Sequence, residues 1–472
     1  MLTGIRTSLA RLIAPKPSPM SRRGFEGAAG GRRWPGTPSF GAMSTETARA
    51  APYLRSRARH FAANNPWASN GVGALVAGLV GTGITPASAH DDAETRATID
   101  KAIGRWARHA DADGRTDYYG LQAIVARALV IDGESFVQLI ARPDGLRLRV
   151  LPAEMVDESD TRDLPGGGFV FSGVEFNAAG ERVAYRVLRH HPSTPWAASR
   201  DTVRIDAADM IHVCAPLGAG QVRGVSWLAP ILLRLGELDQ TEDALIMGVK
   251  IAAMHAGFIT NPNAGPGEAT DFDATDLSLE PGTIRRLAAG EEINFSTPQQ
   301  AQQTAELIGH QVRSIAAGLG VPAHLVSGDL REANYGSLRA GLVAYRQRLE
   351  QAQFGTLIPQ MAAPVFARAV ASLVLSGRID APDFETDAEH YQAAEHYPPP
   401  VPWIDPAKDI AALREAVDMG VMSRRQAVAE RGYSIEVLDA EIAADRERER
   451  KLGLSFAAKT PVIEGSAANA DA

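Results

Sequence analysis

Histidine and cysteine side chains that could bind a metal ion occur at two places in the sequence. His190 and His191 are adjacent, and His212 lies two residues before Cys214, but neither pair has a second pair at the spacing of a zinc site. Cys214 is the one cysteine of the chain, so an internal disulfide is excluded. The alternation of apolar residues around it predicts a buried strand, and therefore a packing role for the thiol.

Clustered acidic residues could supply calcium ligands or an acid–base pair. The run Asp111-Ala112-Asp113-Gly114 resembles the start of a calcium loop, but its glycine comes too early and the closing glutamate is missing, so we expect a surface turn. We expect the remaining clusters to be solvated loops: Asp271, Asp273, Asp276 and Glu291-Glu292.

Motifs for nucleotide binding and acyl transfer are missing from the sequence. There is no P-loop and no G-x-S-x-G elbow, and near Gly71 the pattern G-x-G-x-x-G fails because Val76 replaces the third glycine. We therefore predict that the protein is not an enzyme and needs no cofactor.

The composition indicates a large folded body with an acidic surface. The chain has 472 residues, 45% of them hydrophobic, and a formal net charge of −8. Residues 1–33 carry seven Lys/Arg and one acid, so the remainder has a net charge of −14. Two to four structural units are expected. An acidic body argues against tight nucleic-acid binding, which needs Lys and Arg to displace counterions.

Two segments raise the question of targeting or membrane insertion. The basic start of the chain lacks a long apolar region, and residues 14–45 are rich in Pro, Gly and Ser, so we expect a disordered arm that is dispensable for assembly. The charge-free stretch Gly71–Pro86 is shorter than the ~20 apolar residues of a membrane span. We expect it to be a buried helix.

Hydrophobic periodicity predicts an α+β fold. Helical patterns cover residues 46–85 and 93–109, and a third passes through Asp132-Gly133 into the alternating strand SFVQLIAR. Short strands with intervening turn residues fill the rest of 135–215. Near the C-terminus, helix starts are predicted at Asp405-Pro406, at Ser423 with Gln426, and at Ser434.

Between these regions the pattern predicts long helices. Leucines at helical spacing predict a helix over 226–256 with Ser226 as its N-cap, and a second helix over 303–319. A third begins with Ser337 as its predicted N-cap and reaches about Leu375. Because a projecting helix pair cannot bury all its apolar faces within one chain, we expect side-by-side packing of copies in a ring. Interface residues are predicted on the first two helices: Leu232, Leu235, Ile308 and Val312.

Ordered segments of the chain resemble the portal proteins of tailed bacteriophages, specifically the lambda-like family. They cover most of residues 55–455 in the family's order, and no single motif among them is diagnostic. The segments include RSRARHFAANNPWASNGVGALVAGLVGTGI, GLQAIVARALVIDGESF, QVRGVSWLAPILLRLGELDQTEDALIMGVKIAAMHAGFI and IAAGLGVPAHLVSGDLREANYGSLRAGLVAYR.

The resemblance implies a portal fold that assembles as a ring, usually of twelve copies, with wing, stem, clip and crown. It divides the chain into an α+β wing (46–225), stem helix 1 (226–256), a small β-rich clip (257–300), stem helix 2 (301–322), a tunnel loop (323–337), a long wing helix and wing return (338–400) and a helical crown region (401–455). The predicted disordered basic arm (1–45) and a predicted disordered tail (456–472) lie outside the resemblance.

The resemblance also implies a function, partners and a location. The ring would sit at the capsid vertex of the virion, after assembly in the bacterial host cytoplasm, and double-stranded DNA would be packaged and ejected through it. The terminase large subunit and head-completion or connector proteins would bind the clip, and the major capsid or scaffold protein would surround the ring. The tunnel loop would meet DNA through Ser327, Asp329, Arg331, Glu332, Asn334 and Tyr335.

Three other hypotheses remain open from the sequence. The protein could be an enzyme with an α+β catalytic domain, or a membrane-associated oligomer that uses Gly71–Pro86. It could also be the portal of a domesticated element, such as a gene transfer agent or a defective prophage.

Overall fold

The computed structural model of the chain is a mixed helix and sheet fold, as the periodicity predicts. It describes residues 40–194, 201–253, 257–260, 284–287, 301–331, 334–400 and 405–454. The helices are α1 (Met43–Asn64), α2 (Pro66–Leu79), α3 (Ala93–Ala107), α4 (Tyr118–Ile131), α5 (Leu232–Ala253), α6 (Ala301–Leu319), α7 (Ala323–Ser327), α8 (Tyr335–Ala352), α9 (Ala363–Leu375), α10 (Ala388–Gln392), α11 (Pro406–Asp418), α12 (Arg424–Ala429) and α13 (Ile435–Leu452).

The strands form four small sheets. The antiparallel sheet β3-β2-β9 lies beside a second antiparallel sheet of order β4-β5-β6-β7-β8, while β1 pairs with β12 and β10 with β11. The strands are β1 (Thr85–Ser88), β2 (Glu134–Arg142), β3 (Gly145–Leu151), β4 (Arg162–Asp163), β5 (Phe169–Phe171), β6 (Val174–Phe176), β7 (Arg182–Leu188), β8 (Thr202–Asp206), β9 (Met210–Cys214), β10 (Gly257–Thr260), β11 (Ile284–Leu287) and β12 (Ala394–Tyr397).

The predicted helical region 46–85 is two helices followed by a strand. The side chain of Asn65 accepts a hydrogen bond from the backbone N–H of Ala68, and Pro66 occupies the first turn of α2. Such an N-cap followed by proline starts a new helix, because proline lacks the N–H that the preceding helix would need. The helix ends at Leu79, short of β1.

The apolar core joins the N-terminal α+β region to the base of the long helices. Buried side chains of α2, α4 and α9 form one cluster with the first turns of α5 and the last turns of α6. Leu235, Ile315 and Leu319 lie in this cluster without solvent exposure. The predicted stem helices are therefore held against the N-terminal α+β region by their own apolar side chains.

The first long helix starts later than predicted. Ser226 Oγ accepts a hydrogen bond from the N–H of Leu228, but a 3₁₀ turn over Ala229–Ile231 intervenes before α5. Pro230 in that turn lacks an N–H, which explains why the regular helix begins only at Leu232. Residues 254–256, where the helix was predicted to end, lie outside the described residues, as does most of 257–300.

The third long helix continues from α8 to α9 through a π-helical segment, Gln353–Ala362, that contains Pro359. This helix, Gly336–Leu375, is the one helix among the described residues that is long and apolar enough to cross a membrane, by length and composition only. Leu357, Phe366 and Val370 lie in the core cluster, and a core helix passes the same test. The stretch Gly71–Pro86, considered above as a membrane segment, contributes the buried face of α2.

The C-terminal helix starts are confirmed. Asp405 accepts a hydrogen bond from the N–H of Lys408 ahead of α11, and Ser423 forms a capping box with Gln426 ahead of α12. Ser434 occupies the N-cap position of α13.

A buried carboxylate, Glu134, organises the junction between the two larger sheets, α1 and the chain leading to α5. Its oxygens accept hydrogen bonds from Arg223 Nε at 2.9 Å and Arg223 Nη2 at 2.6 Å, from the backbone N–H of Gly224 at 2.8 Å, and from His212 Nε2 at 2.9 Å. Arg223 also donates to the carbonyls of Ser172 and Ala153. The carboxylate thereby ties together segments that are far apart in sequence.

The charge state of this cluster follows from its partners. Burial alone would raise the pKa of Glu134, but the charge of Arg223 and the hydrogen bond from His212 hold that pKa well below its usual value. Burial lowers the pKa of His212, so its imidazole is neutral and donates its N–H to the carboxylate. Glu134 and Arg223 therefore form the central charged pair of the cluster, with Arg55 of α1 3.8 Å from Glu134 and Glu158 3.3 Å from Arg223.

We predict that Arg223→Met strongly destabilises the fold. Removing one partner of a buried ion pair leaves an uncompensated charge, which costs about 3–5 kcal/mol of the free energy of unfolding. Urea denaturation followed by circular dichroism measures this loss. Arg414→Met is the matched control, because both side chains of the Arg414–Asp418 pair are exposed, and such pairs contribute about 0–1 kcal/mol. Equal effects of the two substitutions would contradict a central role for Glu134.

Candidate functional site

The segment between α6 and α8, residues 320–334, contains a short helix and ends three residues before the end of the predicted loop 323–337. Residues Ala323–Ser327 form α7, which ends at Gly328 in the left-handed conformation with φ 69°. Glycine adopts this conformation without the Cβ clash that other residues suffer. We call residues 328–334, which follow α7, the connecting loop; residues 332 and 333 of it lie outside the described residues.

Asn334, and not Ser337, caps the helix after the connecting loop. Asn334 Oδ1 accepts a hydrogen bond from the N–H of Ser337 at 2.8 Å, and Ser337 Oγ accepts one from the N–H of Asn334 at 3.3 Å. The prediction that Ser337 is the N-cap was wrong because serine at the third helical position can reach back to the cap. The helix consequently starts at Tyr335.

The first half of the connecting loop is stabilised by a local ion pair. Asp329 Oδ1 accepts hydrogen bonds from the N–H and the Nε of Arg331, both at 3.0 Å, and Asp329 Oδ2 lies 2.7 Å from Arg331 Nη2. These hydrogen bonds lower the pKa of Asp329 to about 2. The Arg331 side chain is 87% exposed, so the pair lies in solvent and its charges cancel locally.

The remaining predicted loop residues lie at its two ends. Ser327 is the last residue of α7, and its hydroxyl accepts a hydrogen bond from the N–H of Asp329 at 3.1 Å. Tyr335 is the first residue of α8. Glu332 lies outside the described residues.

A residue that the sequence reasoning missed holds the start of this segment. Asn70, on α2, donates hydrogen bonds from Nδ2 to the backbone carbonyls of Leu325 and Val326, both at 2.9 Å. Asn70 lies more than 250 positions from these two partners in the sequence, and the pattern around Asn70 does not indicate the contact. An asparagine within a helix pattern is ordinarily a solvated side chain.

The four residues predicted to lie at a subunit interface differ in how deeply they are buried within the single chain. Leu232, Leu235 and Val312 are buried within the chain's own core, and Ile308 is half-buried against it. The apolar side chains that the same helices expose are Leu233, Ile246, Met247, Val249 and Leu307. These exposed side chains, rather than Leu235, offer an apolar surface to a neighbouring molecule.

The other residues considered for chemistry have structural roles. Cys214 is buried on β9, which raises the pKa of its thiol to about 11 and makes it a poor nucleophile. Asp111 accepts hydrogen bonds from the N–H groups of Asp113, Arg115 and Thr116, which confirms the predicted turn. Among the described residues, no group of three or more His, Cys, Asp or Glu side chains is placed to hold a metal ion.

We predict that Asn334→Ala frays the start of α8 whereas Asn334→Ser does not. Loss of an N-cap side chain costs about 1 kcal/mol, and serine accepts the same hydrogen bond. Hydrogen exchange at the amides of Ser337 and Leu338 should be faster by several-fold in the alanine variant. Unchanged protection in Asn334→Ala would show that the capping box does not stabilise this end of the loop.

Comparison with known proteins gives a family match and similar solved structures. The model of a family described as phage portal protein, lambda family, matches residues 31–353. A structure described as the neck of a native GTA particle computed with C12 symmetry shares 16% identity, with 86% of this chain and 94% of that chain covered and a TM-score of 0.44. The virion of a native gene transfer agent (GTA) particle shares 16% identity over 89% of this chain and 96% of that chain, with a TM-score of 0.41.

Proposed function

The chain belongs to the lambda family of phage portal proteins, and we propose that twelve copies form the ring at the vertex of a capsid through which double-stranded DNA is packaged and ejected. The proposal is carried by the family match together with Ile246, Met247 and Val249, which α5 exposes within about one turn, because grouped exposed apolar side chains mark protein interfaces. The ring would be assembled in the bacterial host cytoplasm and would become part of the particle.

Within the ring, each part of the chain has a proposed place. Residues 46–225 and the long helix α8–α9 form the wing, α5 and α6 form the stem, 257–300 the clip, and α11–α13 the crown. The rooting of α5 and α6 in the wing core supports a stem that projects from a rigid base. Terminase and later the connector proteins would bind the clip, and the capsid or scaffold protein would contact the wing.

We place the connecting loop in the central channel, where it meets DNA. Its solvent-exposed Arg331 is already paired with Asp329, so the pair carries no net charge toward a phosphate backbone. DNA must slide through the ring, and binding through many unpaired cations would hold it in place. The side chains proposed to face the channel are Ser327, Asp329, Arg331, Glu332, Asn334 and Tyr335.

The proposed role is structural rather than enzymatic. The chemistry-bearing residues of the wing, Glu134, His212 and Cys214, are buried and occupied by internal contacts. Energy for DNA translocation would therefore come from the terminase.

Ring formation should depend on the exposed face of α5. Leu233 is 81% exposed in the single chain, and burying a leucine gains about 1.5–3 kcal/mol per subunit. We predict that Leu233→Asp leaves the subunit folded but abolishes rings in light scattering and negative-stain microscopy. Leu235→Asp is the contrasting variant, because Leu235 is fully buried and its replacement should destabilise the subunit itself. Normal rings formed by Leu233→Asp would remove this face from the interface.

Reversing the loop's negative charges should impair DNA passage without impairing assembly. In Asp329→Lys/Glu332→Lys, cations facing the channel would bind phosphates and resist sliding. We expect normal rings but a severe loss of DNase-protected DNA in heads built with this variant. The control, Asp144→Lys/Asp418→Lys, adds the same charge at exposed positions elsewhere. Full packaging and retention by the loop variant would exclude the connecting loop from the DNA path.

Sequencing the packaged DNA separates the two kinds of particle that this family can serve. A phage packages its own genome, whereas a gene transfer agent carries fragments of its host's DNA. The proposed ring and channel are the same in both.

A further inference from the structure

Helix α2 contacts the polypeptide on both sides of the connecting loop. On the entry side, the amide of Asn70 donates to the carbonyls of Leu325 and Val326 at 2.9 Å each. These carbonyls lie in the last turn of α7, where helical carbonyls have no partner within the helix. Val326 is also buried, with 1% of its surface exposed.

On the exit side, two buried side chains of the long helix donate to carbonyls of the same α2. Tyr345 Oη donates to the carbonyl of Ala74 at 2.8 Å. Gln353 Nε2 donates to the carbonyls of Gly78 at 3.1 Å and Leu79 at 2.9 Å. The latter two carbonyls end α2, so Gln353 caps it from outside.

Two glycines of α2 allow this close contact. A Cβ atom at Gly71 would lie 2.7 Å from Leu319 Cδ1, and one at Gly78 would lie 2.6 Å from Leu349 Cδ1 and 2.9 Å from Tyr345 Oη. Positions seven apart lie two turns along the same helix face. One face of α2 therefore receives the end of α6 and the side of α8.

The two attachments differ in strength. The exit side belongs to a 40-residue helix with a large buried surface. The entry side is the five-residue helix α7, and helices this short are not stable on their own. Its position depends on the packing of Val326 and on the bidentate contact with Asn70.

From this arrangement we propose that Asn70 is a positioning residue for DNA passage, which fixes α7 and thereby the entry end of the connecting loop. The proposal rests on the proposed function of the loop. Without the two hydrogen bonds, α7 would lose its fixed position on α2, and the loop would reach the channel from a displaced start.

Hydrogen exchange tests the positioning step on assembled rings. Asn70→Asp keeps the size of the side chain but cannot donate, and Asn70→Ala removes the polar group without adding charge. Both should raise amide exchange over residues 325–331 by about tenfold, the effect of losing hydrogen bonds of ordinary strength. The thermal midpoint of the ring and the exchange of α5 should not change. Ser69→Ala, at the neighbouring exposed position, is the control.

Unchanged exchange over 325–331 in both variants, or faster exchange throughout the subunit, would overturn a positioning role for Asn70. Heads built with Asn70→Asp supply the second readout, the amount of DNase-protected DNA that remains after storage, which we expect to fall relative to Ser69→Ala. Local loosening with full DNA retention would uphold Asn70 as the anchor of α7 and overturn the placement of the loop in the DNA path.

Discussion

The Glu134 carboxylate has no exposed surface, and segments from several parts of the fold supply the hydrogen-bond donors that stabilise its charge. A buried charge is tolerated only when it is paired and hydrogen-bonded, so the chain must bring Arg223, His212 and the N–H of Gly224 to one point. The backbones cross closely there: a Cβ at Gly133 would lie 2.1 Å from the carbonyl carbon of Val225. Glycine is required at this crossing both for space and for its φ of 89°.

This constraint reaches the long helices because the chain that carries Arg223 runs directly into α5. The N–H of Trp227 donates to the carbonyl of Val130 at 3.0 Å, so the approach to α5 is fastened to the end of α4. Leu228 and Leu235 then bury the base of the helix. Further along, Ile246, Met247 and Val249 are exposed. Helix α5 is thus buried at its base and exposed further along. This is the arrangement expected of a helix that neighbouring copies cover in the proposed ring.

Local signals predicted much of the fold and little of the site. Asp405 and Ser423 were found as caps because capping depends on residues three or four positions apart. The strand β8 lies within the region 135–215 where short strands were predicted, and its alternating apolar residues are the signal that such a prediction uses. Arg223 and Asn70 were missed because their partners lie 89 and more than 250 positions away, and nothing in the neighbouring sequence encodes such a distance. The function came from the ordered resemblance to a family, not from any single pattern.

The polar contacts at Glu134 and at Asn70 hold the fold together by interactions of different strength. At Glu134 a full charge is buried, and only a second full charge with several hydrogen bonds can compensate it, so that junction is held strongly and tolerates little change. At Asn70 a neutral amide meets neutral carbonyls near the surface, where water can replace the contact at modest cost. Beyond Asn70, the Asp329–Arg331 pair lies in solvent and adds little stability. Anchoring therefore weakens step by step from the Glu134 junction to the connecting loop. In the proposed function, the loop would hold its place in a ring and yield to a moving duplex, and such a gradient would serve both needs.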